Sequence, residues 1–578
     1  MLVKKAFVAK AAAFAALSAA AIAISLGTIK GGQKNSYRGI GEGRNGPIEV
    51  EISVKDGRIK NARVVSESET DFAKPAAGEI IRQAIGKEGL ETFDAVSGAT
   101  ITSEGTAKAI KDAWNKYLGI KESEAPEGDA ECDIVIVGAG GAGMTAAIEA
   151  ARRGAKVILL EKMGSVGGNT NAATGGLNAS ETSVQKKLGI QDSNEQYYKD
   201  TMAGGHDLND KALVRKMTES SAAVVDWLID LGADLTDVGK MAGSANKRTH
   251  RPQGGAPVGS HLVKVLKGKI DEMGVDLRVN SKVTGLLNQG GAAAGVFVQG
   301  PKSSYTIKAK AVIIATGGFG ANPKMVVQYK PNLKGFGTTN HKGATGDAFS
   351  WLEEFDAATV DMDQIQTHPT VIPSNGYMIT EAVRGNGAIM VNRQGKRFGN
   401  EMATRDVMSK NVLEQSGQSA YLLFDQGVRE SLKAIEGYAK KGLLTQGNDL
   451  ADLAAALKIP EDNLKATIDG YNAAQKSGQG DGDFGRKASE MPRALETPPY
   501  YAVEVAPAIH HTMGGLKIDD GARVLNKSGR AIPGLFAAGE VTGGVHGANR
   551  LGGNAVADIE IFGKIAADSA LKDIGLRP

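Results

Sequence analysis

Two stretches of this 578-residue chain concentrate side chains able to grip anions and pass protons. The first runs Gln364-Ile-Gln-Thr-His368-Pro-Thr, then Met378-Ile-Thr380-Glu381-Ala-Val-Arg384, then Glu401-Met-Ala-Thr-Arg405-Asp406. The second is His510-His511-Thr-Met-Gly-Gly515, followed by His546-Gly-Ala-Asn549-Arg550-Leu-Gly-Gly553-Asn554. A guanidinium fork matches a carboxylate bidentately, and an imidazole exchanges its proton near neutral pH. Taken singly, most of these residues have ordinary explanations. His368 before a proline caps a turn, Arg405 pairs with Asp406, and Arg384 three places after Glu381 forms a helical ion pair. Arg550 resists such a reading, because a glycine-rich loop lets an arginine reach a ligand.

Such groups need a scaffold, and its centre is 133–161, DIVIVGAGGAGMTAAIEAARRGAKVILLE. The β-branched run 134–137 predicts a buried strand. It ends in Gly138-Ala-Gly140-Gly-Ala142-Gly143, whose glycines permit a tight turn and close approach of backbone to a diphosphate. A helix is predicted over 144–152 with its amide-rich N-terminus facing that diphosphate. A second strand, 156–160, ends in Glu161, whose carboxylate can accept both ribose hydroxyls and would repel a 2′-phosphate. Strand, glycines, helix, strand and acid in this order specify a dinucleotide site far better than the glycines alone. Three later pieces repeat the pattern of loop or strand with glycines: Gly167 to Gly176, 311–320 ending in Gly317-Gly-Phe-Gly320, and 535–541 containing Gly539-Glu540.

Length and composition bound the remaining possibilities. The chain is too long for one core, and two to four domains are expected. A net charge of +3 excludes a nucleic-acid surface, while the 76 glycines cluster in motifs rather than in linkers. The single cysteine, Cys132, rules out an internal disulfide, a thiolate metal site and a CxxCH haem attachment. The eight histidines include no HExxH, so no metal is expected.

Residues 1–29 carry Lys4, Lys5 and Lys10 ahead of an apolar run over 11–26, the pattern of a secretory signal peptide. A retained membrane anchor facing the periplasm, or an amphipathic helix, are the alternatives. A small α+β unit is expected over 36–118, with paired strands 48–54 and 59–65 around Asp56-Gly57 and helices at 76–85 and 106–117. Between those helices lies Asp94-Ala-Val-Ser97-Gly98-Ala-Thr100. A turn of small residues opening a helix is one reading of it. The stretch also resembles the covalent FMN-attachment motif of small FMN-binding domains, in which a flavin transferase joins the final threonine to the FMN phosphate. The resemblance implies Thr100 as the attachment residue. Residues 119–131, polar and containing Pro126, read as a linker.

The four glycine-containing pieces resemble the succinate dehydrogenase/fumarate reductase flavoprotein family, which implies FAD rather than NAD. In that family Ala142, Glu161, Asn169, Thr170, Gly175, Gly176 and Asp347 would line FAD, with His511, Glu540 and Ala555 closing on it from the C-terminal side. Asn169 stands where a covalent histidine would be near, so FAD is expected to be non-covalent. With the two stretches described first, the chain from residue 36 onward resembles the soluble flavocytochrome c fumarate reductases and their haem-less, FMN-carrying relatives. The absence of a haem motif is a departure that leaves the electron donor open. The resemblance implies that His510 and Arg550 hold one carboxylate of fumarate, that His368 and Thr380 hold the other, and that Gly553 allows close approach. It further implies Arg405 as the proton donor, fed through Glu381 and Arg384.

The expected fold is therefore α/β: a Rossmann-like FAD-binding domain (132–362 and 508–578) with an inserted α+β capping domain (363–507), preceded by the FMN domain. Residues 408–496, rich in Ala, Leu and Lys, read as helical scaffold without catalytic signals. The expected function is periplasmic reduction of fumarate by an external donor through FMN and FAD. Quinol-oxidising or small soluble cytochromes are the expected donors, since no separate nicotinamide site is visible. Alternatives are reduction of another 2-enoate such as urocanate, acrylate or a cinnamate, electron carriage without a substrate, or the reverse oxidation of succinate.

Overall fold

The computed structural model describes residues 36–576 other than 44–45, 70–72, 89–92, 94–95, 97–98 and 119–127. The expected export segment, most of the expected linker, and Asp94, Ser97 and Gly98 lie outside the described residues. The chain forms two compact units, Met1–Pro126 and Glu127–Pro578.

In the first unit, strands Ser36–Glu42, Pro47–Lys55 and Arg58–Ser66 form an antiparallel sheet in that order. Alternation in the middle strand turns Ile48, Val50, Ile52 and Val54 inward. Asp56 and Gly57, at φ +54° and +71°, make the hairpin turn that their types predict. Helices Lys74–Ala84 and Thr100–Leu118 bury Ile80, Ile110 and Ala113 against the sheet. Two features depart from expectation. Ser36–Glu42 is a strand, and the second helix starts at Thr100 rather than 106. Both follow from close packing: a Cβ on Gly39 would lie 2.0 Å from Ala109 O, and one on Gly41 would lie 1.9 Å from Gly105 O. Helix backbone rests directly on strand backbone, so tertiary contact overrides weak local propensity.

The second unit is built on an eight-stranded sheet. Its path runs Lys282–Gln289, Ala292–Gln299, Ser304–Ile314, Ala130–Val137, Val157–Leu160 and Asp276–Arg278, with Ala531–Ala537 parallel to the end of Ser304–Ile314 and Arg523–Leu525 beyond it. The parallel central strands are buried on both faces, which explains their unbroken Ile, Val and Leu runs. The first of them begins at Ala130, two residues inside the expected linker. Helix Gly141–Arg152 follows directly and is buried from Gly141 to Ala150, packed on helix Asn554–Asp573.

The inserted segment has its own core, including Ile389, Leu422, Phe424, Leu464 and Val503. Its sheet is ordered Ile365–Val371, Tyr500–Thr512, Ala420–Asp425, Ile389–Val391, with Thr445–Gly447 paired to Tyr500–Thr512. The stretch expected as helical scaffold is thus mixed, because Ala420–Asp425 is a fully buried strand among the helices. Strand Tyr500–Thr512 pairs with Ala420–Asp425 over its first half and with Ile365–Val371 over its second, where the register slips between Gln366 and Thr367 and between His368 and Val371.

Candidate active site

The nucleotide half of the site forms where the central strands end. Gly138 has φ +103°, and a Cβ there would strike Ala315 O at 2.4 Å. A Cβ on Gly143 would lie 1.8 Å from Gly138 O, so this glycine lets the helix close onto the strand. Around Gly140, by contrast, nothing lies nearer than 3.9 Å to the Cβ position, which leaves the backbone approachable from outside. Glu161 sits beside this turn, its carboxylate accepting hydrogen bonds from Ala139 N at 3.0 Å and Met163 N at 2.8 Å. Burial raises its pKa against those bonds. Thr170 Oγ1 accepts from Gly141 N at 3.0 Å. These residues fit a dinucleotide: the turn would hold its diphosphate and Glu161 its ribose.

Next along the cleft, Asn169 donates to Asn340 Oδ1 at 2.7 Å and Glu540 Oε2 at 3.1 Å, and accepts from His341 N at 2.7 Å. The sequence around Asn169 has no histidine, but folding brings His341 to it from a distant loop. Glu540 also accepts from Thr512 N at 3.0 Å and faces His511 Nδ1 at 3.5 Å. Asp347 is engaged with Lys162 at 3.0 Å and Thr345 at 2.7 Å, so an ion pair already accounts for its carboxylate. Gly175 lies against Met241, and Gly176, at φ +152°, lies against Thr249 and His250. Ala555 lies in the first turn of helix Asn554–Asp573.

The three expected proton-handling residues meet in space. Arg405, the first residue of helix Arg405–Leu413, donates from Nε to Glu381 Oε2 at 2.9 Å and from Nη1 to Gln366 Oε1 at 3.2 Å. It faces inward to this acid, and Asp406 instead pairs with His206 at 2.9 Å. Glu381 Oε1 accepts from Ala242 N at 2.9 Å, and Arg384 Nη2 lies 3.7 Å from Glu381 Oε2. Burial alone would raise the Glu381 pKa, but Arg405 and Arg384 hold it below the ordinary carboxylate value. Arg384 is fully buried, its pKa lowered chiefly by that burial, and its Nε and Nη2 have no hydrogen-bond partner.

The residues expected to grip an anion converge on the same space. His368 and His510 face edge to face-plane with ring centroids 5.0 Å apart. Thr370 N donates to His368 Nδ1 at 3.3 Å, which places the proton of the neutral ring on Nε2. That Nε2 is buried without a partner, as are His511 Nε2 and Arg550 Nε. Burial first, and then Arg405 for His368 and His510 and Arg550 for His511, push these three rings well below the usual histidine pKa, so they are neutral at pH 7. Burial and Arg405 also push Arg550 down to about 9. Mutually repelling arginines and unanswered buried donors are what a bound anion would satisfy. Thr380 is buried, and its amide donates to Tyr438 OH at 3.1 Å. Gly553 takes φ +90°, and its Cβ direction is filled by Asn178 Oδ1 at 2.3 Å, so packing at the start of the last helix accounts for this glycine.

Gln366 was not singled out by its sequence context, yet it is central. Its Nε2 donates to Asn549 Oδ1 at 2.6 Å and to Arg550 O at 2.8 Å, while its Oε1 receives Arg405. One amide thus ties Arg405 to the loop of Arg550. The available signal was period two: Gln366 and His368 share a face of strand Ile365–Val371.

A family model described as FAD binding domain matches residues 133–556, and one described as FMN-binding domain matches residues 43–115. The fumarate reductase (cytochrome) of Shewanella frigidimarina is 50% identical over 442 residues, which is 76% of this chain and 77% of that relative. The chain belongs to the fumarate reductase flavoprotein family. Within this family, the NADH:fumarate oxidoreductase of Klebsiella pneumoniae is 41% identical over 527 residues, 90% of this chain and 57% of that protein. The open conformation of a flavocytochrome c3 fumarate reductase matches with a TM-score of 0.66 and 42% identity over 80% of each chain.

Proposed function

We propose that this family member reduces fumarate to succinate in the periplasm, drawing electrons from an external donor through FMN attached to Thr100 and then FAD. The observation that carries this reading is the buried junction of Arg405, Glu381 and Gln366 beside three neutral histidines and Arg550. FAD bound along the glycine turn would supply the hydride, from N5. His510 and Arg550 hold one carboxylate, and His368 Nε2–H with Thr380 holds the other. Arg405 gives the proton to the carbon that does not receive hydride. A guanidinium is ordinarily a very weak acid, with a pKa above about 12. The role is tenable because Glu381 and Arg384 return a proton along the line, so that neutral arginine does not accumulate.

Dicarboxylate binding is favoured over binding of a monoacid with an uncharged tail because both walls present donors and the arginines repel one another until an anion arrives. An export pattern at 1–29 supports the periplasm, and a flavin transferase would complete Thr100. The likeness to a nicotinamide-dependent relative spans only part of that protein, so its donor is not carried over, and a cytochrome is the preferred partner.

The test is turnover of purified, flavin-loaded protein with reduced viologen against fumarate, urocanate, acrylate and cinnamate. Fumarate should be the fastest. Arg405→Ala should lose nearly all turnover with both flavins retained, and comparable turnover in that variant would remove Arg405 from the role of acid.

A further inference from the structure

The hydrogen-bond network does not end at Arg384. Arg384 Nη1 donates to the main-chain carbonyl of Glu401 at 2.6 Å, and the carbonyl of Arg384 accepts from Arg486 Nη2 at 2.8 Å. Arg486 reaches further, donating from Nη1 to Ala388 O at 3.2 Å and to Glu401 Oε2 at 3.0 Å, and from Nε to Glu490 O at 3.0 Å. Arg384, Glu401 and Arg486 are all fully buried. The second oxygen of Glu401 is held by Arg397 Nε at 2.7 Å, and Arg397 Nη1 lies 2.7 Å from Asp481 Oδ2. Asp481 and Arg486 bracket one closed loop, in which Asp481 N donates to Arg486 O at 2.8 Å and Gly485 N donates to Asp481 O at 2.9 Å. Arg486 therefore grips Arg384 twice: directly by its carbonyl, and through Glu401, whose own carbonyl takes the Arg384 guanidinium.

We propose that Arg486 is a positioning residue for proton delivery, holding Arg384 against Glu381 from within a stretch whose sequence reads as plain scaffold. Arg486 touches neither ligand nor the reacting atoms, and acts only through where it puts Arg384. The planar fork is essential, because one side chain must satisfy three carbonyls and a carboxylate lying in different directions. A lysine keeps the charge and cannot make that set of bonds. Arg397 supplies the internal control, since it shares Glu401 but makes no hydrogen bond to Arg384.

The inference rests on the reductase reading for its kinetic test. With reduced viologen and fumarate, Arg486→Lys should lower kcat about 100-fold, as expected for a displaced catalytic group, with KM unchanged. Malonate binding to the oxidised protein, followed by the flavin spectrum, should be unchanged too. Arg397→Lys should melt earlier but turn over normally. Combining Arg486→Lys with Arg384→Lys should cost little more than Arg384→Lys alone, because both act through one group. Should Arg486→Lys fail to accumulate, Arg486→Gln is judged by the same criteria. Wild-type kcat in the Arg486 variant, equal losses in the Arg486 and Arg397 variants, or full additivity with Arg384→Lys would overturn the proposal. A crystal structure of the variant with Arg384 still 3.7 Å from Glu381 would overturn it whatever the substrate, whereas wild-type protein inert to fumarate would overturn only the reductase reading.

Discussion

At the scale of single residues, the site works because a few buried side chains have several partners each. Gln366 is the clearest case, receiving Arg405 on one atom and binding Asn549 and the Arg550 carbonyl with the other. Gln366→Leu should retain FAD and dicarboxylate affinity while kcat falls about 100-fold, since a shift of about 1 Å in a catalytic group costs that much. Steady-state kinetics with a flavin assay checks this, and an unchanged kcat would mean that Glu381 alone aims Arg405. Arg550 stood out in the sequence because a glycine-rich loop lets an arginine reach a ligand, whereas His368, Glu381, Arg384, Arg405 and His510 had ordinary readings one by one and were singled out by resemblance to a family. Gln366 was not, because its importance comes from Asn549, 183 residues away. Arg486 was hidden for the same reason: an arginine in a polar loop looks solvated until folding buries it.

At the scale of elements, the pairing of helix Gly141–Arg152 with helix Asn554–Asp573 carries a pH dependence. Glu560, fully buried, accepts a hydrogen bond from Thr145, and burial pushes its pKa up to about 7 from the ordinary 4.5. A carboxyl whose folded value is raised contributes stability that is complete below about pH 4.5 and is lost as pH rises through about 7. The difference corresponds to about 3 kcal/mol. Glu560→Gln should therefore raise the melting temperature at pH 8 and leave it nearly unchanged at pH 5, and equal shifts at the two pH values would refute the assignment. Elements with strong periodic or glycine signals were readable, such as the strand and turn at 130–143. Strand Ser36–Glu42 was not, because its two glycines dilute the strand pattern and matter only against a helix. Strand Ala420–Asp425, buried throughout, has no alternation to distinguish it from a buried helical turn.

At the scale of the whole molecule, each compact unit has separate hydrophobic clusters, with Ile52, Ile80 and Ile110 in the first and the sheet and insert clusters in the second. A fragment starting at residue 128 should thus fold, bind FAD and reduce fumarate from viologen at the rate of the full chain. Loss of FAD from the fragment, measured by absorbance after desalting, would show that the second unit needs the first to hold its cofactor. The order of the FMN-binding and FAD-binding parts was readable because each carries its own motif, whereas the strand pairing at the end of the insert was not. That pairing runs through strand Tyr500–Thr512, whose two halves hydrogen-bond to different partners and whose last residues include His510 and His511. The insert also meets the dinucleotide fold where Ala242 N donates to Glu381 and where His206 meets Asp406, while the ladder between Tyr500–Thr512 and Ile365–Val371 slips in register beside Gln366 and His368. His368 and His510, both proposed to hold a dianion, thus sit on strands of the insert itself, so a tilt of the insert would carry them with it, and closing over a ligand and gripping it would be one movement.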